Sequence, residues 1–308
     1  MKAFKIDRKY KHWAGQESKK GRHEKRKKRA SAIFLTPSIL GVLMFFIIPF
    51  IVVIVYSMVD NPINMEFVGF NNFLRVMNNG AFKKAVFTTI RFSLIAVPLA
   101  VVLSLLLAVV LEWKIPFRSQ FRTFFLSPMM VPVASVVLIW QVLFHYNGVV
   151  NDFLSRFGAD KIDWLKSDKA YIVIVILFLW KNLGYNMILF MAALSNIPNE
   201  LVEVARLENA NKWQIFWHIK LRFMSSTILF VTIMSLINSF KVFREVYLMT
   251  GGYPYDSLYL LQHYMNNMFD KLDYQNLSAA AVLMSLVMIV IIGIMFIVEN
   301  YYGRDVEG

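Results

Sequence analysis

The chain has 308 residues, of which 57% are hydrophobic, and a mean hydropathy of +0.52. A soluble domain runs nearer about 45–50% apolar, and here the excess falls in long runs, so the composition points to a protein of several membrane spans. The formal net charge is +13 and there is no cysteine, which excludes a disulfide framework, a thiolate nucleophile and a cysteine-based metal site.

Taken in chain order, the first feature is a basic tail. Residues 1–30 hold 13 of the 33 Lys and Arg, against Asp7, Glu17 and Glu24. A nucleic-acid arm would have this charge. A long apolar run begins directly after it, however, so the tail is read as a cytoplasmic anchor lying on anionic lipid, with no nucleic acid as partner. The run from Ala32 to Met58 is longer than a signal-peptide core of about 7–15 residues and no A-x-A-like site follows, so it is expected to be a retained span.

Six runs are long enough to cross about 30 Å of hydrocarbon as helices. They lie at approximately 31–58, 84–111, 120–145, 170–194, 220–249 and 277–300. Pro37, Pro49, Pro98, Pro128 and Pro132 fall in or near the first three, where neighbouring helices can satisfy the carbonyls that proline frees. The expected architecture is an all-α membrane protein: a tail over 1–30, a six-span domain over 31–300 and a C-terminal tail over 301–308.

The basic tail and the even span count put both termini in the cytoplasm of a bacterial cell membrane. The short loop at 112–119 carries Lys114 and Arg118, whereas the loops at 146–169 and 250–276 are balanced or acidic, as the positive-inside rule requires. The loop at 59–83 is placed outside by alternation alone.

One charged segment, NELVEVARLENANKWQIF, interrupts the apolar sequence between spans four and five, within a loop at about 196–219. Ser195 or Asn196 can cap a helix here, and Pro198 suits its first turn. Leu201, Val204 and Ala205 share one face; Glu200, Glu203, Arg206 and Lys212 cover others. Asn209 tolerates left-handed backbone, so the spacing predicts two short helices that break near Glu208–Asn209. A plain interfacial helix would set three glutamates, Glu200, Glu203 and Glu208, against anionic lipid, and a protein partner accounts for them better.

Polar groups inside the spans are costly and mark a cavity or a partner. Span four offers Trp180, Lys181, Asn182, Tyr185 and Asn186; span five offers Asn238, Lys241, Arg244 and Glu245. Lys241 and Glu245 are spaced to pair at i, i+4. Trp180, Asn182, Tyr185 and Asn238 are of the types that bind sugar rings and hydroxyls; the same residues could instead hydrogen-bond helix to helix. Lys241 and Arg244 hint at an anionic substrate, unless both pair with Glu245 or face the interface. Arg91 is read as structural or snorkelling.

No G-x-x-x-x-G-K-[S/T] loop, G-x-S-x-G elbow or H-E-x-x-H pattern occurs, and the five histidines are scattered. The chain is therefore expected to be neither an ATPase nor another enzyme by itself, and to bind no metal or cofactor.

The charged segment resembles the cytoplasmic loop of the permeases of binding-protein-dependent ABC importers. That pattern runs E-A-A, three residues, G, then apolar and aromatic positions leading to a proline. Here it reads Glu203-Val204-Ala205, Glu208-Asn209-Ala210, Trp213, Phe216, Ile219 and Leu221. Val204 replaces an alanine, Glu208-Asn209 replaces an Asp-Gly pair, and Arg222 stands where the family has proline, which implies a less kinked entry to span five. The stretches FVGFNNF, FRTFFLSPMMVPVASVVLIWQVLFHYNGVVNDFL, ILFMAALSNIP and MTGGYPYDSLYLL are similar to the sugar-importing branch, close to the maltose and glycerol-phosphate permeases.

The resemblance implies half of a translocation pore for a sugar or oligosaccharide. It implies a second homologous permease, two ABC ATPase subunits that hold ATP and magnesium, and an extracytoplasmic sugar-binding protein. Glu203, Val204, Ala205, Glu208, Asn209 and Ala210 would couple to the ATPases. Two other readings stay open at this point, an ion-driven secondary transporter, which would show an inverted repeat and more in-span carboxylates, and a non-transporting scaffold subunit.

Overall fold

The computed structural model describes residues 34–112 and 116–303. The basic tail, Lys114 and residues 304–308 therefore lie outside what is described. The chain forms two compact units, Met1–Tyr56 and Ser57–Gly308. The first contributes helix α1 (Phe34–Ser57), apolar along its length. Its backbone widens into a π-turn at Leu43–Ile47, just before Pro49, which has no N–H for the helical ladder.

The second unit is built from helices α2 (Asn71–Asn78), α3 (Gly80–Glu112), α4 (Arg118–Met130), α5 (Val133–Leu143), α6 (Val149–Ser155), α7 (Ala170–Ser195), α8 (Asn199–Leu207) and α9 (Lys212–Ile215). It continues with α10 (Ser225–Thr250), α11 (Leu261–Asp270) and α12 (Tyr274–Gly303). Among the described residues no strand forms; one isolated bridge joins Val59 and Phe67.

Helices α1, α3, α7, α10 and α12 are long and apolar enough to span a bilayer. The expected third span is not one straight helix. Helices α4 and α5 meet at 100°. The cause is local: Val131 precedes Pro132, whose ring disfavours helical backbone before it, and Val131 is extended at φ −80°, ψ 131°. Counted as one broken span, the pair restores the expected six. Helix α3, with 33 residues, is about 50 Å long and reaches beyond the hydrocarbon.

Packing centres on α3 and α7. Phe92 of α3 meets Phe178 of α7 edge-on at 5.5 Å, in a core shared with Val136 and Trp140 of α5 and Val246 of α10. A second core joins Val97 and Val101 of α3, Met187 and Phe190 of α7, and Val231 of α10. Helix α4 presses so closely on α7 that a Cβ on Gly184 would stand 1.9 Å from the Phe125 carbonyl oxygen, so only glycine fits. A third core joins α2, α3, α11 and α12 through Val76, Phe82, Tyr264 and Ala280. There Leu261 N–H donates to Thr89 Oγ1 (2.8 Å), and buried His263 receives the Leu260 N–H on Nδ1 (3.2 Å).

Arg91 lies with its guanidinium 4.9 Å from the Tyr171 ring centroid, a cation–π contact between α3 and α7.

Candidate functional site

Two groups of residues stand out, one in the charged segment that joins α7 to α10 and one along the middle of the α7–α10 pair. The first is the charged segment. Pro198 occupies the N-cap of α8, not its first turn, and makes no side-chain capping bond; neither Ser195 nor Asn196 caps it. Ser195 instead ends α7, its hydroxyl donating to the Met191 carbonyl (2.8 Å). Helix α8 carries Glu200 in its first turn and Arg206 in its last, each favourable to the helix dipole.

The predicted break falls at Asn209, which has φ 61°. Asn209 N–H donates to the Arg206 carbonyl (3.1 Å) and Ala210 N–H to the Ala205 carbonyl (2.9 Å). These two bonds close a Schellman motif, with asparagine in the place that glycine most often takes. One residue later Asn211 opens α9 with a reciprocal capping box: its side chain accepts the Gln214 N–H (2.8 Å), and its own N–H donates to Gln214 Oε1 (2.7 Å). A helix stop and a helix start thus share three residues, and a backbone Schellman motif with a side-chain capping box holds the turn between the two short helices.

The apolar face of α8 is divided in a way the spacing did not predict. Val202 packs on the bundle core, while Leu201 and Val204 stay open. Leu207 is 82% exposed, and Trp213 (71%) and Trp217 (59%) extend the same kind of surface. Glu203, Glu208 and Asn209 are exposed, and Ala205 and Ala210 are half-buried. The entry to α10 is not a smooth helix despite the missing proline. It passes through a π-turn at Phe216–Lys220 and a turn at Met224. Lys220 Nζ reaches both carboxylate oxygens of Glu112 at the end of α3, at 2.6 Å each, and so ties this entry to α3.

The second group lies between α7 and α10. Asn238 donates from Nδ2 to Asn182 Oδ1 (2.9 Å), Asn182 donates to the Phe178 carbonyl (2.8 Å), and Asn186 donates to Ser235 Oγ (2.9 Å). The expected Lys241–Glu245 pair does not form. Glu245 is buried and pairs with Lys181 of α7, whereas Lys241, one turn before it, is exposed. Lys241 and Arg244 are both exposed.

Trp180 is 38% exposed, with its ring centroid 6.1 Å from that of Trp140, and Tyr185 is half-buried. Ser93 of α3 and Ser239 complete the network through a 2.8 Å hydroxyl contact. The sequence reading noted Lys181 and Asn186 without partners and passed over Ser235; a lysine near mid-span was itself the sign that a carboxylate had to face it.

Chemically, the first group offers an apolar surface held at a fixed angle, and the second a polar seam with two cations beside it. Among the described residues no cluster of His, Cys, Asp or Glu could hold a metal ion.

The chain as a whole is similar to known proteins. Residues 73–308 match the family described as binding-protein-dependent transport system inner membrane component. The chain is 31% identical over 222 residues to the sulfoquinovosyl glycerol transport system permease protein SmoG of Agrobacterium fabrum, covering 71% of this chain and 72% of that protein. It is 27% identical over 285 residues to the trehalose/maltose transport system permease protein MalF of Thermococcus litoralis, covering 91% and 96%. In fold it is similar to a chain of a bacterial ABC transporter involved in the import of the acidic polysaccharide alginate, with a TM-score of 0.77, 22% identity, and 92% and 98% of the two chains covered.

Proposed function

The chain belongs to the family of binding-protein-dependent transport system inner membrane components, and on that premise we propose that it forms half of the pore of a carbohydrate importer and is driven by separate ATPase subunits. It is a membrane permease component and not a catalytic subunit. Its relatives and structural neighbour carry sulfoquinovosyl glycerol, trehalose and maltose, and alginate, all carbohydrates. The proposed assembly holds a second homologous permease, two ATPases that bind ATP and magnesium, and an extracytoplasmic sugar-binding protein, with both termini of this chain in the cytoplasm.

The observation that carries this reading is the α8–α9 surface. Leu201, Val204, Leu207 and Trp213 are left open around a turn that two capping motifs hold. An exposed apolar surface of this kind marks a protein contact. Here Glu203, Val204, Ala205, Glu208, Asn209 and Ala210 would engage the ATPase, and closure of the ATPases would move the segment as a unit. The Lys220–Glu112 tie would pass that movement to α3, which, like α7 and α10, lines the cores described above.

The test is purification of the tagged chain from its native membrane in mild detergent, with mass spectrometry of what accompanies it. We expect an ABC ATPase, a second permease and a sugar-binding protein. Leu207→Asp and Glu203→Arg should each lose the ATPase, or its coupling to uptake, while keeping normal membrane insertion. Recovery of the chain alone, or normal sugar uptake in both variants, would overturn the proposal.

A further inference from the structure

We infer that the cargo is an anionic sugar, bearing a carboxylate, sulfonate or phosphate, and that Lys241 and Arg244 select it; the inference rests on the importer reading above. The observation is a stripe on α10. Phe230, Met234, Ile237, Lys241, Arg244 and Leu248 recur at helical spacing; Phe230, Lys241, Arg244 and Leu248 are exposed, and Met234 and Ile237 are half-buried. The adjoining side is buried through Val231, Ser235, Val242 and Glu245. The stripe is apolar toward the cytoplasmic end and cationic toward the other.

Most charges elsewhere on these helices have partners. Lys181 meets Glu245, Lys220 meets Glu112, and Lys84 meets Asp256. Among the described residues, Lys241 and Arg244 have no carboxylate within ion-pair distance. Glu245, the one acid near them in sequence, is already committed to Lys181.

Lys241 stands about 14 Å along the helix from Thr250, within a helix long and apolar enough to span a bilayer. Two uncompensated cations there are costly against lipid and are expected to face a wet cavity or an anion. The amides of Asn182, Asn186 and Asn238 nearby each donate one bond within the bundle. On the exposed side of α10 the two cations stand beside Tyr247, 38% exposed, as an adjacent aromatic surface.

The test uses the native strain lacking this chain, complemented with the wild type, Lys241→Gln, Arg244→Gln or the double variant. Uptake is measured for trigalacturonate, a sulfonated hexose and a hexose phosphate, each beside its neutral counterpart. Membrane abundance and co-purification of the second permease are checked for every variant. We expect chain-dependent uptake of an anionic member and not of its counterpart. The KM for it should rise about tenfold or more for each cation removed, with abundance and co-purification unchanged, and Lys241→Arg should restore it.

Chain-dependent uptake of neutral sugars only would overturn the anionic assignment and leave the importer reading standing. Anion uptake that the double variant does not alter, or a double variant that sheds the second permease, would overturn the role given to the two cations. A chain on which uptake of no panel member depends would overturn the anionic assignment, and the mass spectrometry above decides separately whether the importer reading falls with it.

Discussion

The α8–α9 segment and the α7–α10 seam handle polar groups in opposite ways. In the segment, backbone groups are satisfied locally, by one another in a Schellman motif and by the Asn211 and Gln214 side chains in a capping box, while Leu207 and Trp213 face outward. In the seam, the backbone is ordinary helix and the side chains bond across it to one another, leaving the buried Asn186 Oδ1 without a partner and Lys241 and Arg244 over. A surface that must dock and move as a unit needs fixed backbone and free side chains. A bundle interior that must exclude lipid and water needs the reverse, because an unpaired polar group at that depth has no solvent to turn to.

The largest expected effect breaks the seam. Glu245→Leu leaves the Lys181 ammonium without its countercharge in a site where that lysine is 21% exposed, and should cost up to about 3 kcal/mol. The double variant Lys181→Met/Glu245→Leu removes both charges and should recover most of the loss. Thermal unfolding of the purified protein in detergent reads both, and a double variant as unstable as the single would show that the seam is held by something other than this pair.

A smaller effect sharpens the view of the segment. Asn209→Val places a β-branched residue at φ 61° and should cost about 1–2 kcal/mol locally, whereas Asn209→Gly should cost nothing. The expected readout is weaker ATPase coupling in the valine variant with unchanged global Tm. Equal coupling in both would mean that the turn does not fix the docking angle.

The smallest lies outside both regions, in α11. Burial lowers the pKa of His263 from 6.5 to about 4, so the folded protein holds its imidazole neutral where the unfolded chain would protonate it. Stability from this site is complete above about pH 6.5 and is lost as pH falls toward 4. His263→Gln should flatten the fall in Tm between those values; an unchanged slope would assign the acid sensitivity to other groups.

Much of this was readable along the chain. The apolar runs marked the spans to within a few residues, since length and hydropathy are local properties. The break at Asn209 followed from the backbone freedom of one residue, and it fell where expected, at φ 61°. The 100° break at Val131–Pro132 was equally local and was missed because Pro132 was weighed as tolerable within a bundle and not for its effect on the residue before it.

What the sequence alone determined, then, was which runs are long and apolar enough to span, where the Asn209 break falls, and that a charged segment divides spans four and five. Partner choice was decided by tertiary structure. Lys241 is the in-register candidate for Glu245 along α10, yet Glu245 faces α7 and takes Lys181, 64 residues away in sequence. Likewise Val202 turns inward while Leu201 and Val204 stay open. Periodicity states which residues share a face; only the packing of one helix against another decides what that face meets, and so which charges are neutralised and which are left to act.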